Sequence, residues 1–144
     1  MNQVVILYPV FVQVLLTFIV YGLLAVARTR AIAAMDRRSG GAELALGHVV
    51  WPPDAEKRAA NQRNQFELPV LFYAAVVFAL LTKGVDFLML VLAWLFVLSR
   101  IAHAAIHVGP NRVRWRSPVF AVGLLILAGM WLKLFSHVLT GGFA

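Results

Sequence analysis

Asn61-Gln62-Arg63-Asn64-Gln65-Phe66-Glu67-Leu68-Pro69 runs straight into an apolar segment that begins near Phe66 and lasts to about Thr82. An arginine, two asparagines and a glutamate thus stand where a hydrophobic helix begins. Such groups are expensive to strip of water, so at the edge of a bilayer they are paired, functional, or both. Whether the run beyond them crosses a membrane decides the fold.

Composition answers that question. The chain has 144 residues, of which 62% are hydrophobic and 13% charged, and its mean hydropathy is +0.84. A soluble domain of this size cannot cover so much apolar side chain with so few charges, so lipid is the solvent for most of it. No linker separates two cores, and one domain over residues 1–144 is expected. The absence of cysteine excludes disulfides, thiolate metal sites and a cysteine nucleophile. The net charge of +7 comes largely from arginines beside apolar spans. That pattern orients a membrane protein and gives no reason to expect nucleic acid as a partner.

Four spans follow, and the expected architecture is an all-α, integral membrane four-helix bundle. The first, Val4 to Ala27, holds 24 positions without a charge. Its Ala25-Val26-Ala27 end resembles a signal-peptide cleavage site, but Met1-Asn2-Gln3 has no positive charge and the run is too long, so a retained helix is expected. The second apolar run has 17 positions, from Phe66 to Thr82. At ~26 Å it falls short of a ~30 Å hydrocarbon core, so its helix must start earlier. Pro52-Pro53-Asp54 supplies a start signal with Asp54 as N-cap. The third span must pass Arg100 to reach about Val108, and the fourth opens at Ser117-Pro118, an N-cap followed by proline at the first helical position. The expected helices are about 4–28, 55–82, 86–108 and 118–139.

Charge sets the orientation. Eleven of the thirteen basic residues fall on the side of connections 28–53 and 109–116, leaving only Lys83 and Lys133 for the other. Both connections are therefore expected in the cytoplasm and both termini outside it.

The polar residues form faces. Ala60, Arg63, Asn64 and Glu67 share one by i, i+3, i+4, i+7 spacing, and Arg100, His103 and His107 share another. Glu67 is expected to be buried and paired, with Arg100 as its partner at similar depth. Pro69 removes the hydrogen bond to the Gln65 carbonyl at the same level. His103 and His107 have the spacing of two metal ligands on one helical face, but too few further ligands exist, so a structural role is preferred over a metal. Arg112, Arg114 and Arg116 precede Ser117, and a helix N-terminus beside guanidinium groups makes an anion site. Arg28 and Arg30 lie at a comparable level. Arg30 and Arg114 are the first candidates for binding lipid phosphates. Arg28, Arg63, Arg116, Asn64 and Glu67 suggest a pocket for an anionic, peptide-like ligand whose amine meets Glu67.

These residues resemble the MAPEG family, the membrane-associated proteins of eicosanoid and glutathione metabolism, in a bacterial-type form. Arg63-Asn64-Gln65-Phe66-Glu67 is similar to the family's R-N-x-x-E, and Arg100-Ile101-Ala102-His103 to its R-x-x-H. Arg112 and Arg116-Ser117 resemble the residues that open its fourth helix, and Arg28 the arginine that ends its first. The resemblance implies a homotrimer with glutathione as cosubstrate between subunits. Arg28, Arg63, Asn64, Glu67, His103 and His107 would bind it, while Arg116 and Ser117 would stabilise its thiolate. A membrane-bound transferase or peroxidase acting on lipophilic electrophiles follows, in a bacterial inner membrane.

The chain also departs from the pattern. Ala60 stands where glutathione-using members carry a further arginine, and His107 and Phe120 replace two tyrosines. Each charge-assisted hydrogen bond that these replacements remove weakens binding by ~1.5–3 kcal/mol. A second reading is therefore a non-enzymatic membrane protein of the same fold that binds lipid or another anionic ligand. A third, a proton-coupled transporter using Glu67, is disfavoured because Glu67 lies near one face and not at the midplane.

Overall fold

The computed structural model describes residues 2–35, 47, 49–109 and 113–141. Arg37, Arg38, His48 and Arg112 lie outside the described residues. A short 3-10 turn, Gln3–Ile6, leads into α1, Leu7–Ala33, which is followed by α2, Pro53–Asn64, and α3, Leu68–Leu81. The chain continues as α4, Phe87–Val108, and α5, Val113–Leu139. No strand occurs among the described residues. Four spans are long and apolar enough to cross a membrane, with α2 and α3 together forming the second. The protein is an all-helical integral membrane protein.

The second span is not the continuous helix expected over 55–82. It breaks at Gln65–Glu67, where Gln65 and Phe66 donate back to the carbonyls of Gln62 (3.0 Å) and Arg63 (2.9 Å). Pro69, in the first turn of α3, is the physical cause. It has no N–H for the Gln65 carbonyl, and its ring would clash with that carbonyl in an unbroken helix. α2 starts with Pro52 as N-cap, not Asp54. Asp54 sits in the first turn and accepts from Arg58 at 2.9 Å.

Two other boundaries differ from expectation. α1 continues past position 28 to Ala33, because Thr29, Arg30, Ala31, Ile32 and Ala33 carry no breaker. α5 is already helical at Val113, so Ser117-Pro118 does not cap it. Pro118 falls close enough to the start that its missing N–H forfeits only the bond to the Arg114 carbonyl.

The core lies where α3, α4 and α5 meet. Phe72 stacks on Phe96 at 4.7 Å between ring centroids, and Met89, Val97, Leu127 and Met130 are buried around them. α4 packs along α5, and α1 rests against α2 and α4. Much of α1 remains exposed, including Phe11, Leu15 and Phe18, as suits a helix facing lipid.

One end of the bundle is tied at the turn between α3 and α4. Gly84 donates to Ala79 (2.7 Å) and Lys83 to Leu80 (3.2 Å), closing α3 with a Schellman motif in which Lys83 takes the left-handed conformation, φ 53°. The Gln3 amide bonds both polar groups of the Val85 backbone, at 3.1 and 3.2 Å. Asp86 caps α4 by accepting from Met89, and pairs with Lys133 at 2.8 Å. His137 Nε2 lies 3.0 Å from the Thr82 carbonyl. The other end carries the arginine-rich segments.

Candidate functional site

The stretch at the head of the second span has two faces. Asn61 and Gln65, four positions apart, are fully buried or nearly so, whereas Arg63 and Glu67, also four apart, are exposed. The expected burial of Glu67 is thus corrected. The break at 65–67 turns its side chain outward, while Gln65 and Leu68 take the inward positions. Asn64 is half-buried at the end of α2.

Arg100 is fully buried in α4, but no ion pair with Glu67 forms, and none of its three guanidinium nitrogens has a hydrogen-bond partner. Glu67 reaches it only through its charge. The expected pairing therefore does not occur within one chain. Instead the Arg100 guanidinium lies over the Phe120 ring, 5.5 Å from its centroid. Gly123 admits the helices this closely: a Cβ there would meet Ser99 Oγ at 2.8 Å and Arg100 Cδ at 3.9 Å.

One turn further along, His103 and His107 are both buried, with ring centroids 5.8 Å apart. Neither nitrogen of His103 completes a hydrogen bond, and its ring packs 5.7 Å from Phe120. His107 Nε2 lies 3.2 Å from Arg116 Nη1. A guanidinium can only donate, so the His107 ring accepts at Nε2 and keeps its proton on Nδ1. Arg116 is held half-buried by this contact, on the turn of α5 that precedes exposed Ser117. The helix dipole argument moves with the boundary: the first turn of α5 holds Arg114 and Arg116, and Ser117 lies beyond it. Among the described residues no three His, Asp or Glu side chains converge on a metal position.

Arg28 lies on the exposed surface of α1, its guanidinium 5.0 Å from the centroid of the Trp51 ring. This cation–π contact fixes it at the arginine-rich end. Of the eight residues singled out from sequence, His103, His107 and Arg116 are brought together. Arg63, Asn64 and Glu67 form a second group at the break, with Arg28 and Ser117 exposed apart from them.

Sequence reasoning missed an inner amide set. Gln13 on α1 donates to Gln65 at 3.0 Å, with both side chains buried. Neither amide atom of Asn61 has a partner. The signal was present as two amides four positions apart, but spacing alone does not say which face turns inward. Tyr21 was also missed: its hydroxyl accepts from Gln62 at 2.9 Å, and its ring meets Phe66 edge-on at 6.0 Å.

The polar groups at this end are of both signs and stand in separate groups within one chain. Arg28, Arg63 and Arg116 supply cations, Glu67 an anion and Asn64 an amide, and buried hydrogen-bonding capacity is left over on Asn61, His103 and His107 Nδ1. The MAPEG family model matches residues 6–136. Comparisons with curated proteins and with solved structures return no match.

Proposed function

Because the chain belongs to the MAPEG family, we propose that it is a glutathione-dependent transferase or peroxidase acting on lipophilic electrophiles within the membrane. The observation that carries this reading is the outward placement of Arg63 and Glu67 at the arginine-rich end. A cation and a carboxylate exposed four positions apart where a span begins are open to a zwitterionic ligand lodged against a second copy. Glutathione then binds between subunits of a homotrimer.

In this reading Arg63 and Arg28 take the carboxylates, Glu67 the ammonium group, and Asn64 the peptide amides. Arg116 stabilises the thiolate: a cation close to sulfur favours the charged form of the thiol. His107 holds Arg116 in place, with His103 packed behind it, and Ser117 offers a hydroxyl on the exposed side. The electrophile arrives from the bilayer, accepts the sulfur's electron pair and releases its leaving group. The arginine-rich end faces the cytoplasm of a bacterial inner membrane, where the positive-inside rule puts it.

A spectroscopic titration tests the proposal. Adding glutathione to the purified protein should produce thiolate absorbance near neutral pH, and Arg116→Ala should lower conjugation by about 100-fold or more. Absence of thiolate together with an unchanged rate in Arg116→Ala would sink it.

A further inference from the structure

A groove of about 560 Å³ lies between α1 and the start of α2. None of the residues assigned to glutathione lines it, so what it holds is independent of that reading. Small side chains give it depth: Gly22, Ala27 and Ala31 on α1 face Ala55 on α2. A Cβ at Gly22 would meet nothing within 4 Å, so the space there is open.

Position along the membrane limits what fits. The first span covers Gln3–Ala33. Ile19, at the deep end of the groove, is close to the middle of that span, and Arg30 is within a turn of its end. From Ile19 to Ala31 the helix rises ~18 Å, which matches one leaflet of a ~30 Å hydrocarbon core. That length suits one extended hydrocarbon chain whose headgroup lies at the arginine end.

The mouth is cationic. Asp54 is neutralised by Arg58 at 2.9 Å, with Lys57 3.7 Å from its other oxygen. Arg30 has no hydrogen bond or ion pair among the described residues and stands exposed on the groove wall. Among the described residues its charge thus has no carboxylate partner.

We propose that this groove holds an acyl chain of an anionic membrane phospholipid, with the phosphate on Arg30 and Arg58 beside it. The site is built within one chain and has its own readout. Full-length protein in detergent is offered equal amounts of phosphatidylglycerol and phosphatidylcholine, and bound lipid is read by native mass spectrometry. Wild type should retain phosphatidylglycerol over phosphatidylcholine by about tenfold. Arg30→Gln should bring that ratio close to one, and Arg30→Lys should keep most of it. Gly22→Leu, which adds a side chain to open space, should reduce retention of both lipids. Equal retention of the two lipids by wild type would overturn the proposal, and so would retention that neither Arg30→Gln nor Gly22→Leu changes. The chain has no cysteine, so Gly22→Cys provides a single probe. Its blocking by a lipid-soluble maleimide only after delipidation supports the site. A disulfide between copies at this position would show a second chain in the groove and overturn it.

Discussion

Gln13 donates a 3.0 Å hydrogen bond to Gln65 across 52 positions of sequence, at the point where the second span leaves helical geometry. The bond pins α1 to the break between α2 and α3. It leaves the second amide atom of each residue, Gln13 Oε1 and Gln65 Nε2, without a further partner. Gln13→Leu should therefore destabilise the protein by about 1–2 kcal/mol, because Gln65 is left buried and unpaired. The double change Gln13→Leu/Gln65→Leu should recover much of that loss. Thermal unfolding in detergent, arranged as a double-mutant cycle, measures the coupling; simple additivity would mean the bond contributes nothing.

His107 meets Arg116 at 3.2 Å, and in the proposed reaction it would act through that arginine. His107→Phe should lower turnover by about tenfold and shift thiolate formation to higher pH, while leaving unfolding nearly unchanged. His107→Gln, which keeps an acceptor, should restore most of the activity. A loss of activity with no movement in the thiolate pH profile would assign His107 to structure alone.

Asp86 offers a pH test at the opposite end. Burial alone would raise its carboxyl, but the Lys133 ammonium and the Met89 N–H outweigh that and hold it below its ordinary value of 3.8. A depressed folded value stabilises the protein above the unfolded one, and the contribution disappears as pH falls below 3.8 through the folded value. The pair is largely solvent-exposed on the Asp86 side, so the effect should stay below about 1 kcal/mol. Asp86→Asn keeps the cap on Met89 and removes the charge. Its unfolding midpoint should fall less than that of wild type between pH 5 and pH 3, in about that window.

Gly123 sets how closely α4 and α5 approach beside Arg100. Gly123→Ala would bring a methyl to 2.8 Å from Ser99 Oγ, which is itself bonded to the Phe96 carbonyl at 2.6 Å. Destabilisation of about 1–3 kcal/mol is expected. In Ser99→Ala/Gly123→Ala the nearest Ser99 atom becomes Cβ, at 3.7 Å, and stability should return. If the double variant is no better than the single, the close approach is not the cause.

Lys83 holds a left-handed conformation that a side chain disfavours. Lys83→Gly should raise stability by about 0.5–1 kcal/mol, the strain relieved exceeding the extra freedom of the unfolded chain. Chemical denaturation in mixed micelles reads this directly, and a lower midpoint would contradict it.

The spans were legible because lipid imposes length and apolarity on each, and Asp86 could be placed at the head of α4 from its neighbours. The start of α5 was not. Ser117-Pro118 carries the chemistry of a helix start, but the same proline is tolerated two turns in, and only the residues before it decide between the two. Pro69 pointed to a freed carbonyl at Gln65, yet a missing bond does not announce a full break. For the site, residue types and order were readable, and their directions were not. Gln65 and Glu67 lie two positions apart and both are polar, and only the break between α2 and α3 and the bond from Gln13 to Gln65 show that the amide is the one turned inward. Arg100 pairing failed for the same reason: equal depth in a bilayer does not place two side chains on facing surfaces.

The turn at 82–86 is held from both ends of the sequence: by Gln3 of the N-terminal turn, and by Lys133 and His137 of α5. Among the described residues the arginine-rich end is joined by other bonds, such as Gln62 to Tyr21, His107 to Arg116 and Lys57 to the Gly109 carbonyl at 3.4 Å. The chain is thus laced through one knot: its N-terminal turn and its last helix are fastened to the same five residues.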